Sequence, residues 1–443
     1  MPNTSERLKT LGLHTADILL PKLGVDLSKW AVVACDQYTS EKSYWEQAQS
    51  YVGSEPSTLN LIFPEAYLED PEPDKRIASI NASMETYEKN SLFDTYENCF
   101  FLVHRTTDKN AQGRWGLLVL LDLELYDYSV GSRSLIRATE GTILSRIPPR
   151  KEIRKNASLE LPHIMVLISD HERSVIEPLA AKREHLRKAY DTTLMAGGGT
   201  LSAWVIESKE DFASIAGALE KIQAHLDPNN PLLYAMGDGN HSLATAKSCW
   251  EDMKPTIPQE EWDNHPARYA MVELENIYDP GLAFEPIHRV LFGLDFATFK
   301  AEVEKCASLV VVEKIADLPT LHQLINEHSE YQRFGYRDNG GYYLFNLLGA
   351  VSNIAAGTLQ VVIDSLLEQK KATVDYIHGE EVTASLGAKE GNCALILPNV
   401  SKDTFFETII KDSALPRKTF SMGEANEKRY YMEARRIKKL AFQ

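Results

Sequence analysis

An apolar run that stops at a double-glycine turn and restarts as a helix constrains this chain more than any other feature. Leu232–Met236 is apolar, Gly237-Asp238-Gly239-Asn240-His241 is a turn, and Ser242–Met253 has helical spacing. Strand, tight turn and helix in succession form the unit from which α/β folds are assembled. Glycine lets the backbone bend sharply and come close to a ligand. A helix that opens there presents unpaired N–H groups and the positive end of its dipole, which favours phosphate. Asp238 adds a metal ligand or base, and His241 a proton donor. An ordinary strand-to-helix corner with a surface aspartate reads the same way. The G-x-x-x-x-G-K-[ST] spacing of a Walker loop is absent.

The remaining pattern agrees with a mixed sheet flanked by helices. Strands are expected at Trp30–Cys35, Cys99–Val103, Trp115–Leu123, Pro162–Ile168 and Trp204–Ile206. The polar 106–113 segment predicts a hairpin, and the non-alternating Gly116–Leu121 run predicts a strand buried on both faces. Helices are expected from Tyr44 through Gln47, over Asp74–Asn90, Ser174–Tyr190 and Asp211–Leu226, and over Phe296–Cys306, Leu318–His328 and Leu359–Lys370. Strands at Tyr342–Leu347 and Ala394–Leu397 complete a C-terminal α/β part. The fold class is therefore α/β (or α+β). Residues 1–292 form the main domain that carries the site, and 293–443 a second region.

Composition bounds the partners. With 44% hydrophobic residues in 443, the chain has material for a sizeable core. Its formal charge of −16 repels phosphate backbones, so a small-molecule substrate is expected rather than nucleic acid. Five scattered cysteines without a CxxC pair fit a reduced compartment. The polar N-terminus and the lack of an apolar run of about 20 residues predict a cytoplasmic chain with no membrane partner. A homo-oligomer is compatible with all of this.

Against that acidic background, 133–155 is a basic island. Arg133, Arg137, Arg146, Arg150, Lys151, Arg154 and Lys155 face only Glu140 and Glu152. Guanidinium groups grip phosphate bidentately, although each of these charges also suits a solvated loop. His288 and Arg289, in Phe284–Val290, form a further cation pair. Asp36 follows the first strand, where α/β sites commonly sit and where an aspartate also caps helices. The twelve histidines contain neither H-x₃-H nor HExxH, so a divalent ion would be held by a carboxylate and substrate phosphates. Gly-x-Ser-x-Gly is missing as well.

Several blocks occur together in order: Ile18–Lys22 with Trp30–Glu41, Ile136–Arg150, Leu161–Ile168, Tyr234–Lys247 and Phe284–Val290. In combination they resemble the family described as domain of unknown function 1015, over most of the chain. At its glycine turn that family is similar to the ParB/sulfiredoxin superfamily, which binds nucleotides and includes free-serine kinases. The family turn reads Asp-Gly-His-His-Arg; here it is Asp238-Gly239-Asn240-His241-Ser242, with serine in place of the phosphate-binding arginine.

The resemblance implies a small-molecule phosphotransferase, foremost a free L-serine kinase using ATP, ADP or pyrophosphate with Mg²⁺. Glu140 or Asp36 would be the general base, and His241 would donate to the transferring group. Gly237, Gly239, Asn240 and Ser242 would cradle phosphate, with Asp238 on the ion. The missing cation would come from Arg137, Arg146, Arg150, Lys247 or Arg289, with His288 alongside. A nucleotide or pyrophosphate hydrolase, or a ParB-like nucleotide switch without catalysis, is the alternative.

Overall fold

The structure is a computed structural model that describes residues 3–416 and 418–438. The chain divides into two compact units: Met1–Leu282 with Gly423–Gln443, and Ala283–Met422.

The first unit is built on an eleven-stranded mixed sheet. Phe93–Thr106 and Arg114–Asp122 form the expected hairpin, with Phe101 opposite Leu118. Tyr269–Asn276 pairs antiparallel with Arg114–Asp122 on one side and parallel with Met165–Ile168 on the other. Tyr234–Asp238 lies beyond Met165–Ile168, antiparallel to it and parallel to Ile136–Arg137. Alternate residues of the hairpin serve two cores. Phe101, Val103, Leu118 and Leu120 pack with Trp30 and Trp45, while Phe100, Leu102, Leu117 and Val119 pack with Trp250 and Leu219. The Gly116–Leu121 run is apolar throughout because both faces are covered.

Two expected elements are different. The stretch 174–190 is not one helix: Glu177–Ala181 is helical, Arg183–His185 is a 3₁₀ turn and Arg187–Thr193 is a strand. Pairing of Arg187–Thr193 with Thr200–Ile206 overrides the helix propensity of its residues. The first strand is only Val32–Val33, because Asp26 caps a short helix, Leu27–Trp30, immediately before it.

The segment from Gly423 returns to the first unit as a strap with paired ends. Tyr430 and Tyr431 pair with Val33 and Val32, and Arg435 and Arg436 pair with Glu160 and Leu159. Its middle is buried and charged: Arg429 is 2% and Glu433 0% exposed. Arg429 Nε lies 2.6 Å from Glu273 and its Nη2 2.9 Å from Glu433. Arg114 Nε stands 2.8 Å from Glu275, two residues along the same strand.

The second unit has a six-stranded antiparallel sheet in the order 309–315, 341–348, 332–338, 392–396, 288–292, 373–377. The amphipathic helix Ala355–Glu368 buries Leu359, Val362, Ile363 and Leu366 in its core. Glu285–Pro286 pairs with Phe420–Ser421 at the two ends of the unit.

The buried carboxyl pair has a pH signature. Burial works against ionised Glu273, but Arg429 and Arg114 hold it below its ordinary range. Burial raises Glu275 to about 8, opposed by Arg114 and reinforced by Glu273. The folded state therefore keeps a proton that the unfolded chain releases near pH 4.3. The stability from that proton is complete below the unfolded pKa and is lost as pH rises through about 8. Melting temperatures followed from about pH 5 to about pH 8.5 should fall less for Glu275→Gln than for the wild type. Parallel curves for the two proteins would place the proton elsewhere.

Candidate functional site

The glycine turn sits at the carboxyl end of Tyr234–Asp238, where the parallel neighbour Ile136–Arg137 also ends. Crevices at such ends are where α/β sheets hold ligands. Gly239 has φ +83°, and a Cβ there would lie 3.2 Å from the Ile164 Cα. A left-handed residue costs about 1–2 kcal/mol without glycine, so both sterics and backbone select it. Gly239 N donates to Asp238 Oδ1 at 2.9 Å, and the helix Asn240–Met253 starts directly after it.

The turn and the basic segment meet. Asn240 Oδ1 accepts the Thr139 N–H at 3.1 Å, and the Thr139 hydroxyl donates to Met236 O at 2.8 Å. His241 Nε2 accepts the Ile143 N–H at 3.3 Å. Glu140, directly after Thr139, is half-buried. Gly237, Asp238, Gly239, Asn240, His241 and Ser242 thus share one corner with 139–143.

The expected cations are distributed more widely. Arg137 is 2% exposed and donates to Ser134 O, Asn230 Oδ1 and Pro231 O at 2.6–2.8 Å. Lys247 pairs with Glu251 one helical turn on, at 2.6 Å. Arg146 is exposed, and its carbonyl accepts from Arg150 Nη1 at 2.8 Å. Arg150 Nε donates to Glu65 Oε1 at 2.9 Å. Burial pushes the Glu65 carboxyl up, with Arg150 pulling against it.

His288 and Arg289 belong to the second unit. His288 Nδ1 accepts the Leu397 N–H at 3.1 Å, and burial lowers its pKa to about 4, so the ring is a neutral acceptor. Arg289 is fully buried, and its Nε and Nη2 have no hydrogen-bond partner among the described residues.

Beside the turn lies a cavity of about 140 Å³. Its lining combines apolar residues (Leu61, Phe63, Ile80, Met84, Ile153 and Leu159) with the polar Glu65, Arg150, His163, Ser242 and Tyr431. Asp36, half-buried, follows Cys35 of that lining, and its Oδ1 accepts from Gln37 Nε2 at 3.0 Å.

Three site residues escape the sequence reading. His163 Nε2 lies 2.8 Å from Ser242 Oγ, and its Nδ1 lies 3.0 Å from the Tyr431 hydroxyl. Lys428 Nζ stands 3.1 Å from Asp238 Oδ2. Burial works against the ionised Asp238, yet Lys428 and the Gly239 N–H hold it below the usual carboxylate range. His163 stands inside the Leu161–Ile168 block, which was already a distinctive stretch. Lys428 and Tyr431 are almost two hundred residues from the turn in sequence, with no local signal to mark them.

A mixed α/β protein with a glycine turn beside a polar-lined cavity is what these features define. The chain belongs to the family described as Protein of unknown function (DUF1015), whose model matches residues 19–366. A search of curated proteins finds no match. Among solved structures, a free serine kinase in complex with AMP aligns at 10% identity and TM-score 0.38, over 72% of this chain and 92% of that one. A conserved hypothetical protein from Pyrococcus furiosus aligns at 10% and 0.33, over 71% and 90%. C-terminally truncated SbnI from Staphylococcus aureus aligns at 8% and 0.35, over 69% and 81%. Likeness at this level carries nothing about the site.

The Lys428–Asp238 pair sets an expectation for stability. Lys428→Met should lower unfolding free energy in urea by about 1–3 kcal/mol at neutral pH, as for a hydrogen bond between charged groups. The difference should shrink in acid, where Asp238 becomes protonated in both proteins. A cost unchanged by acid would show that Lys428 contributes packing rather than charge.

Proposed function

We propose that this protein is a small-molecule phosphotransferase, and specifically a kinase for the hydroxyl of free L-serine with ATP, ADP or pyrophosphate as donor. The observation that carries the reading is the convergence of the Gly237–Ser242 turn with the 139–143 segment at the ends of two parallel strands. Phosphoryl transfer asks little covalent chemistry of a protein and mostly needs positioning and charge stabilisation. The turn's backbone and the start of its helix supply the first, and nearby cations the second.

Among the described residues no group of three or more His, Cys, Asp or Glu side chains forms a metal centre. A divalent ion fits instead as Mg²⁺ carried by donor phosphates, with Asp238 as its single protein carboxylate. Bound there, it would neutralise phosphate charge. Lys428, beside Asp238, takes the place at the turn that Ser242 leaves without a cation. Arg150 provides a second positive group on the cavity wall. Glu140, next to the Thr139–Asn240 contact, or Asp36, next to the cavity, orients the acceptor hydroxyl and removes its proton. His241 donates to the transferring group. The small cavity suits an acceptor of the size of an amino acid.

The test is to supply Mg²⁺, L-serine and each donor in turn, and to look for O-phosphoserine by mass spectrometry. Asp238→Asn should abolish product. Of Glu140→Gln and Asp36→Asn, the one that removes the base should lose about 10²–10⁴-fold in rate. Serine-independent phosphate release without O-phosphoserine would replace the kinase by a nucleotide or pyrophosphate hydrolase. Nucleotide binding with neither product would indicate a switch.

A further inference from the structure

Ser242 occupies the place where the family turn has arginine, and its hydroxyl has a specific partner. Oγ lies 2.8 Å from His163 Nε2, and the opposite ring nitrogen lies 3.0 Å from the Tyr431 hydroxyl. The Tyr431 oxygen is itself fixed by the Cys35 N–H at 3.1 Å. Ser242 does not cap its helix: the cap position is Gly239, and the Ser242 N–H already reaches Gly239 O at 3.0 Å. Ser242, His163 and Tyr431 all line the cavity that also holds Arg150. A hydroxyl, a base in hydrogen-bond reach and a third group orienting that base are the parts of an activated nucleophile.

We propose that Ser242 is a covalent nucleophile that carries the phosphoryl group between donor and acceptor, a proposal that rests on the phosphotransfer reading above. With Nδ1–H donated to the Tyr431 oxygen, His163 Nε2 holds a lone pair facing Ser242 Oγ. Oγ attacks the terminal phosphorus of a nucleoside triphosphate, nucleoside diphosphate or pyrophosphate donor. The new Oγ–P bond forms as the bond from phosphorus to the bridging oxygen breaks, and that oxygen leaves with its electron pair. The Oγ proton passes to His163 Nε2. In the second half the acceptor hydroxyl attacks the same phosphorus and Ser242 Oγ leaves. His163 returns its proton to Oγ, while Glu140 or Asp36 takes the acceptor's. Bonds broken and formed in the second half are both serine-type phosphate esters when the acceptor is L-serine, so that half is close to balanced in energy. The helix start at Asn240–Ser242 favours the negative charge that builds up on the group in transit.

Intact-protein mass spectrometry of the full chain, incubated with Mg²⁺ and ATP, ADP or pyrophosphate without acceptor, tests this directly. One donor should add a single phosphoryl mass, mapping to Ser242 on peptide digestion, and L-serine should discharge it. Ser242→Ala should lose both the adduct and about 10³-fold or more of turnover, with an unchanged melting curve. His163→Gln should slow adduct formation, whereas Tyr431→Phe should shift its pH profile. O-phosphoserine made by Ser242→Ala at near wild-type rate overturns the nucleophile and leaves the kinase intact. An adduct that water but not L-serine discharges keeps the nucleophile and removes the serine kinase. Neither adduct nor product with any donor removes both.

Discussion

A set of charges closed off from water holds the site together. Arg429 stands between Glu273 and Glu433, while Arg114 meets Glu275 on the same central strand. Tyr190 donates to Glu433 from the edge of the sheet, and Arg435 reaches Glu160 at 3.1 Å. Removing one partner of a buried ion pair strands the other and costs about 3–5 kcal/mol, so the set holds only when complete. It fixes the strap 423–438 in one register against the sheet. A flat apolar strap would slide along its contact; one that presents Arg429 and Glu433 to given partners has a single seat.

That register places two side chains of the candidate site. Lys428 precedes Arg429 and meets Asp238; Tyr431 follows two residues later and meets His163. One buried arginine thus aims a cation and a phenol, from either side of it in the chain, into the same corner. The turn supplies backbone and carboxylate, the 139–143 segment pins Asn240 and His241, and the strap completes the polar lining of the cavity.

Much of the turn was legible in the sequence because its determinants are local. Gly239 is required where φ is positive and Ile164 crowds the backbone, and the apolar run before it fills the sheet. The hairpin at 106–113 and the doubly buried strand after it were equally plain. The helix expected over 174–190 was not, since its fate is decided by pairing with 200–206. The basic island was read as a cluster, yet Arg137 and Arg150 turn to carbonyl and carboxylate partners. Local charge density says nothing about which way a side chain turns. Lys428 and Tyr431 could not be found at all, because their role depends on a long-range register set by buried charges.

The division of the chain also has a consequence for its synthesis. Residues 283–422 form their own compact unit, and the strap that follows belongs to the first. A ribosome therefore releases the whole of the large sheet, and then a whole second unit, before it makes Lys428, Arg429 and Tyr431. Until then Glu273 waits without Arg429 and Asp238 without Lys428, and the corner beside the turn lacks its strap. Nascent chains that stop short of residue 428 would carry a nearly complete scaffold in which Asp238 and His163 lack their strap partners.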